Sequence, residues 1–122
     1  MSSLKALIVE DAPGDAYFIK KILQSMGYEC EMAHSYYIAT LLLKKTHYQI
    51  MILDINLPGK SGIDLLNTFD IYNENKPDKI IVITGTKVTP KMEEVLEGKV
   101  DYLLTKSNDM QNLKKLINDL TV

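Results

Sequence analysis

Cysteine is almost absent from this sequence, which has only Cys30 among its 122 residues. A single thiol can form no disulfide within the chain, and the sequence holds no Cys/His cluster with the spacing of a zinc site. Long apolar runs are also missing. The first run, Leu4–Val9, stops at Glu10 and Asp11, so it is too short for a signal-peptide core or a membrane span. We therefore expect a cytoplasmic protein without a membrane partner.

A large charge of either sign is missing as well. The formal net charge is −2 at pH 7, which gives the chain no general attraction for DNA, RNA or an anionic membrane. The sequence shows no linker, repeat or low-complexity tract. Apolar residues make up 46% of it and charged residues 25%, a balance typical of a globular fold of one domain at this length. We expect a single domain that binds no nucleic acid.

Short apolar runs alternate with segments of helical period along the whole chain. Runs that are apolar on both faces are typical of parallel strands covered on each side. The predicted strands are Leu4–Val9, Tyr28–Ala33, Ile50–Leu53, Ile80–Ile83 and Val100–Thr105. The helices are predicted from Pro13 to Gly27, from the cap Ser35 to Leu43, from the cap Ser61 to about Phe69 or Ile71, from Thr89 and Pro90 to near Gly98, and after the cap Asn108. This alternation predicts an α/β fold with a parallel sheet and helices on both faces.

Polar side chains of a particular kind follow these strands. Glu10 and Asp11 follow the first strand, Asp54 the third, Thr84 the fourth and Lys106 the fifth. Ligands of such sheets bind beyond the carboxyl ends of the strands, so we expect these side chains at one rim. Three carboxylates that lie together repel one another unless a cation joins them. Mg²⁺ prefers oxygen ligands and is the cation that this set predicts.

The same residues suggest a phosphoryl-transfer chemistry. Asp54, at the end of the most apolar strand, is the natural nucleophile toward a phosphorus centre. Lys106 would supply an ammonium group and Thr84 a hydroxyl for the transferred oxygens. Each residue alone has an ordinary explanation, because acids after strands are commonly solvated and threonine suits a strand. The prediction therefore depends on their conjunction.

The segment DINLPGKSG, from Asp54 to Gly62, closely resembles the phosphoacceptor loop of response regulator receiver domains. Leu7–Asp11 is similar to the acid pair after that family's first strand, and Ile81–Gly85 to its fourth strand. Lys106 stands 22 residues beyond Thr84 (106 − 84), a distance that suits the family's lysine. The resemblance covers essentially the whole chain. It implies a flavodoxin-like doubly wound (βα)5 fold with strand order 2-1-3-4-5, and one receiver domain over residues 1–122 without an output domain.

The resemblance also implies a role for each site residue. Asp54 would take a phosphoryl group from a histidine kinase or a phosphotransfer protein. Asp11, Asp54 and the backbone carbonyl of Asn56 would hold Mg²⁺, with Glu10 acting mainly through water. Thr84 would move toward the phosphoryl group and signal to the face made by the fourth helix, fifth strand and fifth helix. The chain would then be no enzyme in the usual sense, although it would catalyse its own phosphorylation and dephosphorylation. It would dock on an unidentified protein effector as a monomer or a weak phosphorylation-dependent homodimer.

Two positions depart from the family's pattern. Lys106 is followed by Ser107, where the family usually has a proline joined by a cis bond, and a cis bond without proline costs about 2.5–4 kcal/mol. We therefore expect a trans bond there. The family's switch aromatic usually lies three residues before the lysine, but Leu103 holds that position and Tyr102 precedes it. We hypothesise a bulge near Leu103–Thr105 that turns Tyr102 toward Thr84, the alternative being that the Thr84–Tyr pair is absent.

Functions of other classes remain as alternatives. The main rival is a protein-interaction module that keeps the receiver fold and is not phosphorylated, which the departures near Lys106 favour. An aspartate-dependent phosphatase would generally have a second aspartate two residues beyond the nucleophile, where this chain has Asn56. A flavin carrier would have a hydroxyl- and glycine-rich phosphate cradle after the first strand, where this chain has two acids.

Overall fold

Five parallel strands form one sheet in the computed structural model, which describes residues 4–106 and 110–121. The strands are β1 (Leu4–Val9), β2 (Tyr28–Ala33), β3 (Ile50–Asp54), β4 (Lys79–Thr84) and β5 (Tyr102–Thr105). Their order in the sheet is β2-β1-β3-β4-β5. The predicted fold class and strand order are therefore confirmed.

Five helices connect and follow these strands. They are α1 (Pro13–Ser25), α2 (Tyr36–Lys45), α3 (Gly62–Thr68), α4 (Pro90–Leu96) and α5 (Leu113–Thr121), with short 3₁₀ turns at Asn73–Asn75 and Met110–Asn112. The expected caps of three helices are confirmed: the side chains of Ser35, Ser61 and Thr89 each accept a hydrogen bond from a backbone N–H of the first turn. The predicted cap Asn108 lies outside the described residues.

Apolar side chains on both faces of the sheet explain why its central strands, β1, β3 and β4, are largely buried. One face packs against α2, α3 and α4, and the other against α1 and α5. Every residue of β3 is buried, as a central strand of a doubly covered sheet requires. No helix within the described ranges is long and apolar enough to cross a membrane.

The strand order reverses next to β1, and this reversal positions the candidate site. β1 pairs with β2 on one side and with β3 on the other. Val9 lies opposite Leu53 in the register, so the residues that follow them, Glu10 and Asp54, are neighbours at the carboxyl end of the sheet. Such a switch point is where ligands bind in open α/β sheets.

The register of β5 contradicts the bulge that the sequence suggested near Leu103–Thr105. Tyr102 pairs with Ile81, and the register continues one residue at a time to Thr105, which lies opposite Thr84. Tyr102 is therefore three residues from the position beside Thr84, or roughly 10 Å along the strand, and it is 47% exposed. Because side chains alternate between the faces, Leu103 shares the face of Thr84 and Tyr102 takes the opposite one. The bulge hypothesis is wrong, and Tyr102 does not lie beside Thr84.

The strand also begins later than predicted, at Tyr102 instead of Val100. Asp101 explains the delay, because its side chain accepts a hydrogen bond from the backbone N–H of Ile80 at 2.7 Å. Its own N–H donates to the Ile80 carbonyl at 2.8 Å. The Asp101 side chain thus replaces a backbone carbonyl as the acceptor for the Ile80 N–H at this end of β5.

Candidate functional site

Three carboxylates lie together at the carboxyl ends of β1 and β3. One oxygen from each of Glu10, Asp11 and Asp54 lies within 4.8 Å of the others. Glu10 and Asp54 are only 1% and 3% exposed, whereas Asp11 is exposed. The structure therefore brings together the acids that the sequence singled out, two of them out of solvent.

The turns that follow the strands orient these acids. The backbone N–H of Ala12 donates to Glu10 Oε2 at 3.1 Å, and the N–H of Asn56 donates to Asp54 Oδ1 at 2.9 Å. Both are contacts of a carboxylate with the backbone two residues further on, and for Asp54 this is the geometry that aspartate favours in turns. The N–H of Ile55 donates to the carbonyl of Ile83 at 3.0 Å, which extends the β3–β4 pairing past Asp54. Asp54 is consequently held at a fixed place between two loops.

Lys106 reaches this cluster from the end of β5. Its Nζ lies 2.6 Å from Glu10 Oε1 and 3.2 Å from Asp54 Oδ2. The contact with Glu10 is an ion pair without regular hydrogen-bond geometry, since Oε1 accepts no hydrogen bond there. The backbone N–H of Lys106 donates to the Thr84 carbonyl at 2.9 Å, which continues the β4–β5 ladder and aims the side chain at the rim. The bond between Lys106 and Ser107 lies outside the described residues.

A fourth carboxylate, which the sequence analysis missed, also contacts Lys106. Asp15 Oδ2 lies 2.9 Å from Lys106 Nζ. Asp15 is in the first turn of α1, four residues after Asp11. Its spacing of four residues from Asp11 is the signal in the sequence that could have placed Asp15 near the acidic cluster. An acid in the first turn of a helix is, however, also favoured by the helix dipole, so the signal is ambiguous.

Burial changes the acid–base properties of the cluster. Burial raises the pKa of Glu10 from its ordinary 4.5 to about 7, and the nearby Asp54 carboxylate adds to the effect. Burial also opposes the charged form of Lys106, but the carboxylates of Glu10, Asp15 and Asp54 outweigh it and raise the pKa of the lysine. The ammonium is therefore charged throughout the physiological range.

The shifted pKa of Glu10 predicts how stability depends on pH in EDTA. Between about pH 4.5 and 7 the folded chain holds a proton on Glu10 that the unfolded chain has lost, so the free energy of unfolding is expected to fall as pH rises through this window. The fall is at most about 3 kcal/mol for a pKa displaced this far. Urea denaturation at several pH values measures it, and Glu10→Gln, which stays neutral, is expected to remove most of it. An equal fall in both proteins would contradict this assignment.

Thr84 is buried at the end of β4, and its hydroxyl makes hydrogen bonds with the loops that follow β3 and β4. Its hydroxyl oxygen accepts from Asn56 Nδ2 at 3.1 Å and from the backbone N–H of Thr86 at 3.1 Å. The hydroxyls of Thr84 and Thr86 are 2.9 Å apart. The network joins the loop after β3 to the loop after β4, so a movement of the Thr84 hydroxyl would change contacts of both loops.

The donor set of the cluster fits Mg²⁺. Its ligand atoms are carboxylate oxygens, which hard divalent cations prefer. Four carboxylates stand against one ammonium, which leaves an excess of three negative charges (4 − 1) when all are ionised. A divalent cation would offset most of this excess. Asn56 lies in the loop directly after Asp54, and its carbonyl as a further ligand stays a prediction.

Comparisons with known proteins show which proteins this chain resembles. A family model described as the response regulator receiver domain matches residues 6–118. Transcriptional regulatory protein MalR of Bacillus subtilis is 32% identical over 104 residues, covering 83% of this chain and 43% of MalR. Chemotaxis protein CheY-3 of Vibrio cholerae is 26% identical over 119 residues, covering 97% of this chain and 92% of CheY-3. The chain thus spans less than half of the first relative and most of the second.

Solved structures similar to this chain include a response regulator in complex with Mg²⁺-BeF. Response regulator protein TrrA of Thermotoga maritima, in complex with Mg²⁺-BeF, is 26% identical to this chain with a TM-score of 0.79. The match covers 96% of this chain and 98% of the TrrA chain. The likeness therefore extends over the whole sheet and its helices.

Proposed function

Because the chain belongs to the response regulator receiver domain family, we propose that Asp54 accepts a phosphoryl group from a histidine kinase or a phosphotransfer protein. Receiver domains are the phosphoacceptors of two-component systems, which histidine kinases phosphorylate, and they are not enzymes of the classical kind. The observation that carries the proposal is the contact of Lys106 Nζ with both Glu10 and Asp54, at 2.6 and 3.2 Å. A buried aspartate beside an ammonium is a suitable acceptor for a doubly charged group.

The reaction exchanges one bond for another at phosphorus. An oxygen of Asp54 attacks the phosphorus atom of the donor, and a new P–O bond forms as the P–N bond to the donor histidine breaks. The product is an acyl phosphate on Asp54, and the histidine leaves with the electron pair of the broken bond and takes up a proton. Asp54 Oδ1 already accepts a hydrogen bond from the Asn56 N–H, so the orientation of the carboxylate is fixed before the donor binds.

Glu10, Asp11, Asp54 and the carbonyl of Asn56 would hold Mg²⁺, which receiver domains bind at their acidic pocket. When bound, the ion supplies positive charge beside the transferred oxygens. Lys106 contributes a second positive charge next to Asp54. The hydroxyl of Thr84 would leave its contacts with Asn56 and Thr86 to donate to a phosphoryl oxygen. This change joins the chemistry at Asp54 to the loop before α4.

Signalling then proceeds through docking on a protein effector. Thr84 lies at the end of β4 beside β5, so its movement would change the positions of α4, β5 and α5. Since Tyr102 is exposed and stays away from Thr84, this transmission cannot use a buried Thr84–Tyr102 pair. The receiver domain would dock on this effector as a monomer or as a weak phosphorylation-dependent homodimer.

The metal requirement gives a direct test of the acidic set. Asp11→Asn is expected to weaken Mg²⁺ binding at least about tenfold, because one of three converging carboxylates loses its charge. Isothermal titration calorimetry measures the affinity, and the Mg²⁺ concentration that half-activates phosphorylation by acetyl phosphate should rise in parallel. Asp119→Asn is the matched control, since Asp119 is exposed on α5. Equal Mg²⁺ affinity in native and Asp11→Asn proteins would exclude Asp11 as a ligand.

A further inference from the structure

Among the described residues, Asp15 is the one carboxylate paired with Lys106 that lies outside the predicted acidic set. Its Oδ2 is 2.9 Å from Lys106 Nζ, a shorter distance than the 3.2 Å from the same nitrogen to Asp54. The side chain of Asp15 is 43% exposed, whereas those of Glu10 and Asp54 are almost completely buried. Asp15 therefore holds the ammonium from the solvent side of the site.

The start of α1 fixes the place of Asp15. Pro13 is the first residue of the helix, where its ring suits the helical backbone, and Asp15 follows two residues later in the first turn. The N–H of Ala16 donates to the carbonyl of Ala12 at 3.0 Å, which closes this turn beside Asp15. Ala16 and Ile19 are buried beneath the helix. The carboxylate thus projects from a rigid element toward Lys106.

A lysine needs such a restraint more than other cationic residues do. Its four-carbon stem is flexible, and ordering it carries a large loss of side-chain entropy. The ammonium has three N–H donors, and the three carboxylates of Glu10, Asp15 and Asp54 surround it at 2.6, 2.9 and 3.2 Å. The ammonium donates hydrogen bonds to Asp15 Oδ2 and to Asp54 Oδ2, and it forms an ion pair with Glu10. Asp15 and Glu10 together therefore hold one N–H toward Asp54.

We propose that Asp15 is a positioning residue for phosphoryl acceptance: it holds the ammonium of Lys106 so that one N–H faces the acceptor oxygens of Asp54. This inference rests on the proposed function of Asp54. It assigns Asp15 neither to the metal ligands nor to the groups that touch the phosphoryl group. Asp15 acts through Lys106, and the charge and reach of its side chain determine the effect.

The first experiment follows the ammonium itself in metal-free protein. The ¹H–¹⁵N signal of the Lys106 ammonium is identified by its loss in Lys106→Met, and its exchange with water is measured. We expect exchange to be several times faster in Asp15→Asn than in the native protein, because the charged partner is lost. Asp15→Glu, which keeps the charge, is expected to restore slow exchange. Equal exchange in native and Asp15→Asn proteins would overturn the proposal.

The second experiment follows phosphorylation by acetyl phosphate with saturating Mg²⁺. The rate is expected to fall about fivefold in Asp15→Asn, the size of a partly exposed ion pair, and to recover in Asp15→Glu. Mg²⁺ affinity should stay within about twofold of native. An unchanged or faster rate in Asp15→Asn would overturn the positioning role while leaving the proposed function intact. If the native protein takes up no phosphoryl group, the proposed function of Asp54 is wrong, and the proposed role of Asp15 is wrong with it.

Discussion

Replacing Lys106 by methionine is expected to lower the rate of phosphorylation by acetyl phosphate about 100-fold, the lower end of the usual effect of removing one donor that stabilises developing charge in a transition state. The ammonium contacts both Glu10 and Asp54, and no other cation is within ion-pair distance of these acids in the described part of the chain. Methionine keeps most of the length of the side chain and removes its charge. The loss therefore reports electrostatic stabilisation of the transferred group.

The same substitution at Lys115 provides the control for Lys106→Met. Lys115 is exposed on α5, so Lys115→Met should leave the rate unchanged. Circular dichroism and a Mg²⁺ titration establish that Lys106→Met is folded and still binds the ion. A folded Lys106→Met protein with a rate within threefold of native would show that the lysine has no part in the reaction.

Replacing Gly62 by alanine is expected to lower the free energy of unfolding by about 1–3 kcal/mol, the usual cost of overpacking. A Cβ at this first residue of α3 would lie 2.8 Å from the carbonyl oxygen of Asp54 and 2.8 Å from Ile55 Cα. Both are backbone atoms, which cannot move aside as a side-chain end can. The N–H of Gly62 also donates to the Ile55 carbonyl at 3.1 Å, so the helix is tied closely to the end of β3.

Gly14→Ala is the matched control for Gly62→Ala. Gly14 is in the first turn of α1, and a Cβ there would meet nothing within 4 Å. Alanine favours a helix more than glycine does, so this variant should be as stable as the native protein or slightly more stable. Urea denaturation followed by circular dichroism compares the three proteins. Equal stability of Gly62→Ala and native protein would mean that α3 can move away from Asp54 at little cost.

Most of the sheet could be predicted because β1, β3 and β4 are largely apolar on both faces, whereas β2 and β5 carry weaker signals. The predicted bounds of β1 and β2 agree with the structure, and β3 and β4 differ only by single residues at their ends, which include Asp54 and Thr84. The caps Ser35, Ser61 and Thr89 identified the helix starts correctly, because a hydroxyl before an amphipathic segment satisfies free N–H groups of the first turn. These signals are local, so the sequence contains them directly.

The error at Tyr102 has a different physical origin. Tyr102 lies four residues before Lys106, where the family's aromatic usually lies three before it, and only the register between β4 and β5 decides which face Tyr102 takes. The side chain of Asp101 binds the Ile80 N–H and so sets where the pairing begins. That contact joins residues 21 positions apart, and no pattern within β5 itself reveals it.

The candidate site shows the same division between local and distant information. Strand ends could be read from the sequence, and so Glu10, Asp54 and Lys106 could be assigned to one rim. The partner of Lys106 on α1 could not, because Asp15 and Lys106 are 91 residues apart and an acid at a helix start has an ordinary explanation. Only the packing of α1 against the sheet brings them together.

The central claim, that Asp54 is the phosphoacceptor, is tested most directly by counting phosphoryl groups. Native protein and Asp54→Ala are incubated with acetyl phosphate in Mg²⁺ or in EDTA, and intact masses are compared. One added group in native protein with Mg²⁺, none in EDTA and none in Asp54→Ala is the predicted result. No added group in native protein that is folded and binds Mg²⁺, or an equal gain in Asp54→Ala, would contradict the account, the former favouring an interaction module that is not phosphorylated.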